Sequence, residues 1–273
     1  MKNFGIVIGL AVLLYACDKS ADDLTEKKLD AETIEIVNEL VMTEALEEDI
    51  NASINKAIVI AERSNEKSAK VESECFSVTV KPIIGGYPKT ITIDFGDGCE
   101  GSYGFVRSGK IAVSLSDTMQ APGATYTVTF DQFAIEGYTF EGSIAFENTG
   151  TASVPSFYED LDLTMTTSGG VLIEKSKTVN RYWLEGASTN EVTDDVYSIE
   201  GSAEVSVGTD RSYTYEIISP LIISPSCDII KEGILEITTS KSDTTITVDF
   251  GTGDCDRIAK ITKGSLGQDV TLN

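Results

Sequence analysis

The chain has 273 residues, with 44 Asp and Glu against 21 Lys and Arg, no histidine and five cysteines. Without histidine there is no Ser-His-Asp or Cys-His catalysis, no imidazole metal ligand and no side chain of ordinary pKa that titrates near neutrality. A formal charge of −23 repels phosphate backbones and argues against a nucleic-acid partner.

Residues 1–16 open on Met1-Lys2-Asn3, stay mostly apolar for eleven residues from Phe4 to Leu14, and end on Tyr15-Ala16. A single cation before so short an apolar run reads as a signal peptide, because a membrane span needs roughly 20 residues. The stretch Leu14-Tyr15-Ala16-Cys17 resembles a lipoprotein cleavage site, with an aliphatic residue three positions before the Cys and a small one immediately before it. Tyr15 departs from the small or β-branched residue usual between them. The expectation is an acylated Cys17 that ties the mature chain to a lipid bilayer; the alternative is a secreted chain with an unpaired fifth cysteine. Two or more acyl chains anchor stably, since each buried methylene contributes about 0.8 kcal/mol. Residues 17–23 form an acidic tether, Asp18-Lys19-Ser20-Ala21-Asp22-Asp23. It resembles the surface-export signals of Bacteroidota lipoproteins, which implies the outer membrane and its exterior face.

Residues 24–70 read as a helical segment. Leu29, Ile36, Val37, Leu40, Val41, Ile50, Ile54, Ala57 and Ile58 recur at helical spacing with acids between them. The pattern fits one helix with a break near residues 48–51, or two shorter ones, with the apolar stripe packed on the domain that follows.

Residues 71–273 read as a single antiparallel β domain. The apolar period falls to two, as in Thr90-Ile91-Thr92-Ile93-Asp94-Phe95, and turn residues recur every eight to twelve positions. Twelve to fourteen strands are expected between Cys75 and Leu272. No helical stretch lies among them, so parallel crossovers are excluded and the fold class is mainly β, a meander forming a sandwich or a curled sheet.

The two ends of this region resemble each other. Cys75 leads through a turn to Asp94-Phe95-Gly96-Asp97-Gly98-Cys99, and Cys227 leads through a turn to Asp249-Phe250-Gly251-Thr252-Gly253-Asp254-Cys255. Each block is followed by a basic-apolar strand. The midpoint of 75 and 99 falls at Tyr87, and that of 227 and 255 at Lys241, both inside turn signals. Each cysteine pair is therefore symmetric about its own hairpin, over 75–99 and 227–255, which predicts Cys75–Cys99 and Cys227–Cys255 over the two crossed connectivities. An exported chain meets the oxidising conditions such bonds need.

Over nearly the whole mature length the chain resembles a group of Bacteroidota lipoproteins. The resemblance rests on the Leu14-to-Cys17 site, the two cysteine blocks, Arg107-Ser108-Gly109-Lys110-Ile111 and Arg181-Tyr182-Trp183-Leu184-Glu185-Gly186. It implies an envelope lipoprotein and carries no activity with it.

Three constellations offer chemistry. Asp94, Asp97 and Glu100, with Asp249, Asp254 and Asp256 in the related block, cluster hard oxygens around tight turns and are candidate calcium ligands, although Asp and Gly also make such turns unaided. Calcium is the only cofactor the residues point to. Arg181 and Trp183 lie two apart on a strand, share a face, and are a candidate platform for a glycan or protein ligand; a core Trp beside an ion-paired Arg is the plainer reading. Asp194-Asp195, with Asn190-Glu191, reads as a solvated acidic loop. Tyr126, Phe130, Phe133, Tyr138 and Phe140 make an aromatic hairpin suited to the core. The expectation is an envelope-anchored lipoprotein that binds or builds rather than catalyses. The alternatives are a carbohydrate-active hydrolase using carboxylates alone, for which no spacing nominates a pair, and a carrier of lipid or another amphiphile.

Overall fold

A computed structural model of the chain describes residues 28–63, 75–82, 86–101, 104–151 and 153–272. The signal peptide, Cys17 and the acidic tether lie outside the described residues. One long helix, α1 (Ala31–Arg63), precedes an antiparallel meander. Its strands are β1 (Ser77–Lys81), β2 (Lys89–Asp94), β3 (Cys99–Glu100), β4 (Val106–Leu115), β5 (Thr125–Ile135), β6 (Tyr138–Asn148), β7 (Ser156–Thr166), β8 (Leu172–Glu185), β9 (Val196–Val207), β10 (Arg211–Ser224), β11 (Cys227–Thr239), β12 (Ser242–Thr252), β13 (Ile258–Lys263) and β14 (Leu266–Thr271). Consecutive strands are neighbours from β4 to β14, while β2 pairs with β4 and the two-residue β3 also pairs with β4. β1 and β14 each pair on one side only, so the sheet is not closed. Among the described residues no helix is long and apolar enough to cross a membrane.

The expected helix is present and unbroken. Asp30 caps its N-terminus, Oδ1 accepting from Thr33 N at 2.8 Å, and neither Gly nor Pro interrupts it. At the other end Lys89 Nζ donates to Ala61 O at 3.1 Å, satisfying one of the free terminal carbonyls. Of the two readings, one helix or two, the single helix is found; it runs straight through residues 48–51, where Glu48 and Asp49 are paired with Arg181 and Arg107.

From residue 36 to residue 61 no position of α1 is exposed. A helix lying on one flat sheet leaves a solvent side, so this one is wrapped. Its side chains or backbone reach β2 through Lys89, β4 through Arg107, β8 through Lys175, Lys177 and Arg181, β9 through Tyr197, β10 through Tyr213 and Tyr215, and β13 through Lys263. The sheet therefore curls around its own N-terminal helix, which settles the choice between sandwich and curled sheet. Helix and strands share one apolar core, in which Val37, Leu40, Leu46, Ile50, Ala57 and Ile58 meet Ile91, Ile93, Ile111, Val113, Val128, Leu235, Ile237 and Ile246. Burying each large aliphatic side chain contributes about 1.5–3 kcal/mol. The aromatic hairpin joins this core: Phe133 lies 5.6 Å from Phe95 and 5.7 Å from Phe140, ring to ring, whereas Phe130 and Tyr138 stay half-buried.

The repeat holds in three dimensions. Asp94 Oδ1 accepts from Gly96 N at 3.0 Å and Asp249 Oδ1 from Gly251 N at 2.9 Å, each turning the chain at a glycine of positive φ. In both blocks a lysine stands opposite the aspartate, Lys110 on β4 and Lys260 on β13. Cys75 is bonded to Cys99 and Cys227 to Cys255. The symmetry expected for the first pair is offset, however. Ser77 faces Asp94, so the ladder would bring Cys75 opposite residue 96. The turn after Phe95 diverts the chain into β3, where Cys99 faces Arg107 and reaches Cys75 from the side.

Candidate functional site

Strand β8 explains the wrapped helix. Its inward positions are Ile173, Lys175, Lys177, Val179, Arg181 and Trp183, all buried, and its outward alternates are exposed. Three cations thus enter the concave face at period two and meet acids one turn apart on α1. Lys175 Nζ lies 2.6 Å from both Glu44 Oε1 and Glu47 Oε1. Lys177 Nζ lies 2.5 Å from Glu47 Oε2, 3.4 Å from Glu44 Oε2 and 3.6 Å from Glu159 Oε1 on β7. Arg181 holds Glu48 with two bonds, at 3.0 and 2.5 Å, and donates from Nε to Glu159 at 3.3 Å. From β4, Arg107 clamps Asp49 with Nε and Nη2. Lysines are almost never fully buried without partners, and these have two or three each.

The electrostatics follow from burial and pairing. Burial pushes the Glu44 carboxyl up, but Lys175 and Lys177 overcome it and hold it well below the usual range. Tyr215 OH adds a donor to Glu44 Oε1 at 2.5 Å. For Glu47 burial wins over the same two lysines, helped by the neighbouring Glu44, and the carboxyl is raised. Burial also raises Asp49 against the pull of Arg107. Five carboxylates meet four cations in this cluster. Such a network fixes how the helix sits; replacing a whole network of this kind with well-packed apolar side chains is often neutral or stabilising, while removing one partner is costly.

Beside this cluster is a cleft between α1 and strands β8–β11. Val41, Ala45, Glu48, Ala52 and Asn55, one face of the helix, form one wall; Ile199, Leu221, Ile223 and Ile230 form much of the other. Counting the open solvent at its mouth it holds about 660 Å³. Small residues on the helix and irregular pairing of β10 make the space. The register slips between Glu216 and Leu221 against β9 and at three places against β11, around Pro220, which has no N–H for the ladder. Gly233 permits the bend: it sits at φ 116°, where a Cβ would lie 2.4 Å from Pro220 O.

One rim of the cleft is a hydrogen-bonded chain. Asn55 Nδ2 donates to Tyr197 OH at 3.3 Å, Tyr197 OH donates to Asp195 Oδ2 at 3.1 Å, and Trp183 Nε1 donates to Asp195 Oδ1 at 3.0 Å. Ser224 Oγ on β10 donates to the Asp195 carbonyl at 2.7 Å. Asp195 is therefore buried rather than part of a solvated loop, and burial pushes its carboxyl up to about 6 in spite of these donors. Asp194 and Glu191 beside it remain exposed.

Arg181 and Trp183 do share a face, but it is the concave one. Arg181 is 4% and Trp183 8% exposed, so they form no surface platform. Instead Arg181 is the ion-pair partner of Glu48 and Glu159, and the Trp183 ring stacks 5.6 Å from that of Tyr197. The candidate calcium ligands are not brought together. Asp94 caps Gly96 and pairs with Lys110 at 3.1 Å, Asp97 and Glu100 are exposed, and Asp249 and Asp256 cap Gly251 and Ile258. Asp254 borders a shallow depression with Asp249 and Asp256, yet among the described residues no group of three or more Asp, Glu, Cys or His is arranged to hold a metal ion. Asp94, Asp249 and Asp256 are thus engaged by backbone amides and, for Asp94, a lysine.

Comparison of the chain with protein-family models, with curated proteins and with solved structures finds no match.

Proposed function

We propose that the protein is a non-catalytic lipoprotein of the cell envelope, held at the outer membrane through an acylated Cys17 and serving there as a binding or structural surface protein. The anchor rests on the Lys2-led apolar run, the Leu14-to-Cys17 site and the acidic tether. The observation that carries the non-catalytic half is the pairing of the interior. Glu44 and Glu47, whose carboxyls are shifted in opposite directions, are clamped together by Lys175 and Lys177, and Glu47 has no exposure. A glycosidase needs two carboxyl groups facing each other across a cleft with substrate or water between them.

Radiolabelled palmitate fed to cells expressing the parent chain and a Cys17→Ala variant tests the anchor. Label on the parent, none on the variant and release of the variant from the membrane fraction support it; an unlabelled parent overturns it. A hydrolytic turnover abolished by substituting one acid overturns the non-catalytic half. The second reading, a carrier of an amphiphile, is favoured by the cleft, although most of the sheet's concavity is filled by α1.

A further inference from the structure

We infer that the cleft between α1 and β9–β11 is a binding site for a neutral aliphatic molecule carrying a carbonyl oxygen, which Asn51 reads through its side-chain amide. The inference deepens the binding reading above by naming a ligand class, and it does not depend on the anchor.

Three observations carry it. First, the walls are aliphatic: Ile199, Leu221, Ile223 and Ile230 from the strands face Ala45 and Ala52 of the helix. A mostly apolar cleft with few polar groups is the common form of a small-molecule site. Second, Asn51 lies in the wall and is 7% exposed, yet among the described residues its Nδ2 finds no acceptor. A buried donor left unpaired is destabilising, so an incoming oxygen acceptor has a stabilising partner waiting. Third, the charges select against an anion. Arg181 is the cation at the cleft, and Glu48 and Glu159 already occupy its guanidinium, while Glu44 and Glu48 line the wall. A fatty acid would bring a third carboxylate beside these two with no free cation among the described residues that line the cleft, whereas a ketone or ester oxygen meets an amide N–H.

The test uses the folded chain with methyl groups of Ile, Leu and Val labelled, titrated with 2-nonanone, with sodium nonanoate and n-nonane as controls. The expected result is saturable shifts at the methyls of Ile199, Leu221, Ile223 and Ile230 with the ketone and none with nonanoate. Asn51→Ala should weaken the ketone by about fivefold, the worth of one neutral hydrogen bond, and leave nonane unchanged. Ala52→Leu, which fills the slot from the helix side, should abolish the shifts. Absence of shifts at these methyls under saturating ketone, shifts confined to other parts of the sheet, or nonanoate binding as tightly as the ketone would each overturn the inference. If Ala52→Leu does not fold, the methyl map of the parent chain decides alone. None of these outcomes bears on palmitate labelling at Cys17.

Discussion

The one tryptophan of the chain, Trp183, points its indole Nε1–H at Asp195 Oδ1 over 3.0 Å, from the concave face of β8 to the end of the loop that follows it. Asp195 also accepts from Tyr197, and through its backbone carbonyl from Ser224. A single residue thus ties β8 and β9 through its carboxylate and β10 through its carbonyl at the rim of the cleft. Its desolvation, outweighing these donors, is what lifts its pKa.

The sign of the resulting pH dependence is fixed. The folded value of about 6 lies above the ordinary value of an aspartate, so the fold favours the protonated form. The stability Asp195 contributes is complete below about pH 4 and is lost as pH rises through about 6. Asp195→Asn keeps an oxygen acceptor for Trp183 and cannot ionise. Relative to the parent, its melting temperature should rise between pH 5 and 7.5, and the Trp183 emission of the parent alone should titrate with a midpoint near 6. Identical pH profiles of emission in the two proteins would contradict this assignment.

Removing a cation from the interior should cost far more than neutralising Glu47, whose carboxyl burial raises. Lys177→Met leaves Glu44, Glu47 and Glu159 short of a partner, and the loss expected is about 3–5 kcal/mol. Glu47→Gln replaces a carboxyl that burial already biases toward neutrality, and should cost about 1–2 kcal/mol. Urea unfolding of the two variants gives the comparison. Equal losses would mean that Glu47 is as firmly ionised as its neighbour.

At the start of α1, Asp30 both caps the helix and pairs with Lys263 at 2.9 Å. The bonds from Lys263 and from Thr33 N hold its pKa at about 2, below the ordinary value, so this contribution is present above about pH 4 and is lost as pH falls through about 2. Asp30→Ala should cost about 0.5–2 kcal/mol and Asp30→Asn less, since Asn keeps the capping oxygen. Thermal unfolding near neutral pH orders the three chains.

At the bend of β10, Gly233→Ala places a methyl against Pro220 O and Leu221 Cα at a φ that L-residues avoid. The expected outcome is a loss of thermal stability with local methyl shifts at Leu221 and Ile223. A variant as stable as the parent would mean that β10 relaxes freely there.

Much of the fold is legible in the residues, and the illegible part has a physical cause. Helical spacing over 29–58 and period two beyond residue 71 give the elements, and the turn signals give the meander. The cysteine pairs follow from hairpin symmetry, although the first is reached through the β3 detour. What periodicity does not supply is which face of a strand turns inward when both faces carry polar residues. On β8, Lys175, Lys177 and Arg181 alternate with Glu174, Ser176, Thr178 and Asn180, and only the flanking Ile173, Val179 and Trp183 mark the cations as the inner set. The matching acids, Glu44, Glu47 and Glu48, fall between the apolar helix positions and read as a solvated side. Reading the two segments together, three cations at period two against acids a helical turn apart, was the signal available for the buried network. For the cleft the only local sign was Pro220 within an otherwise strand-like run.

The central structural claim is that α1 is the core of the molecule and not an appendage laid on a finished sheet. Native-state hydrogen exchange of α1 tests it most directly, because exchange reports the free energy at which each amide opens. Amides of Leu40, Leu46, Ile50 and Ile54, all wholly or almost wholly buried, should open only with global unfolding and match the slowest amides of β7–β9. Exchange of these helix amides through a low-energy local opening, while the strands stay protected, would contradict the account.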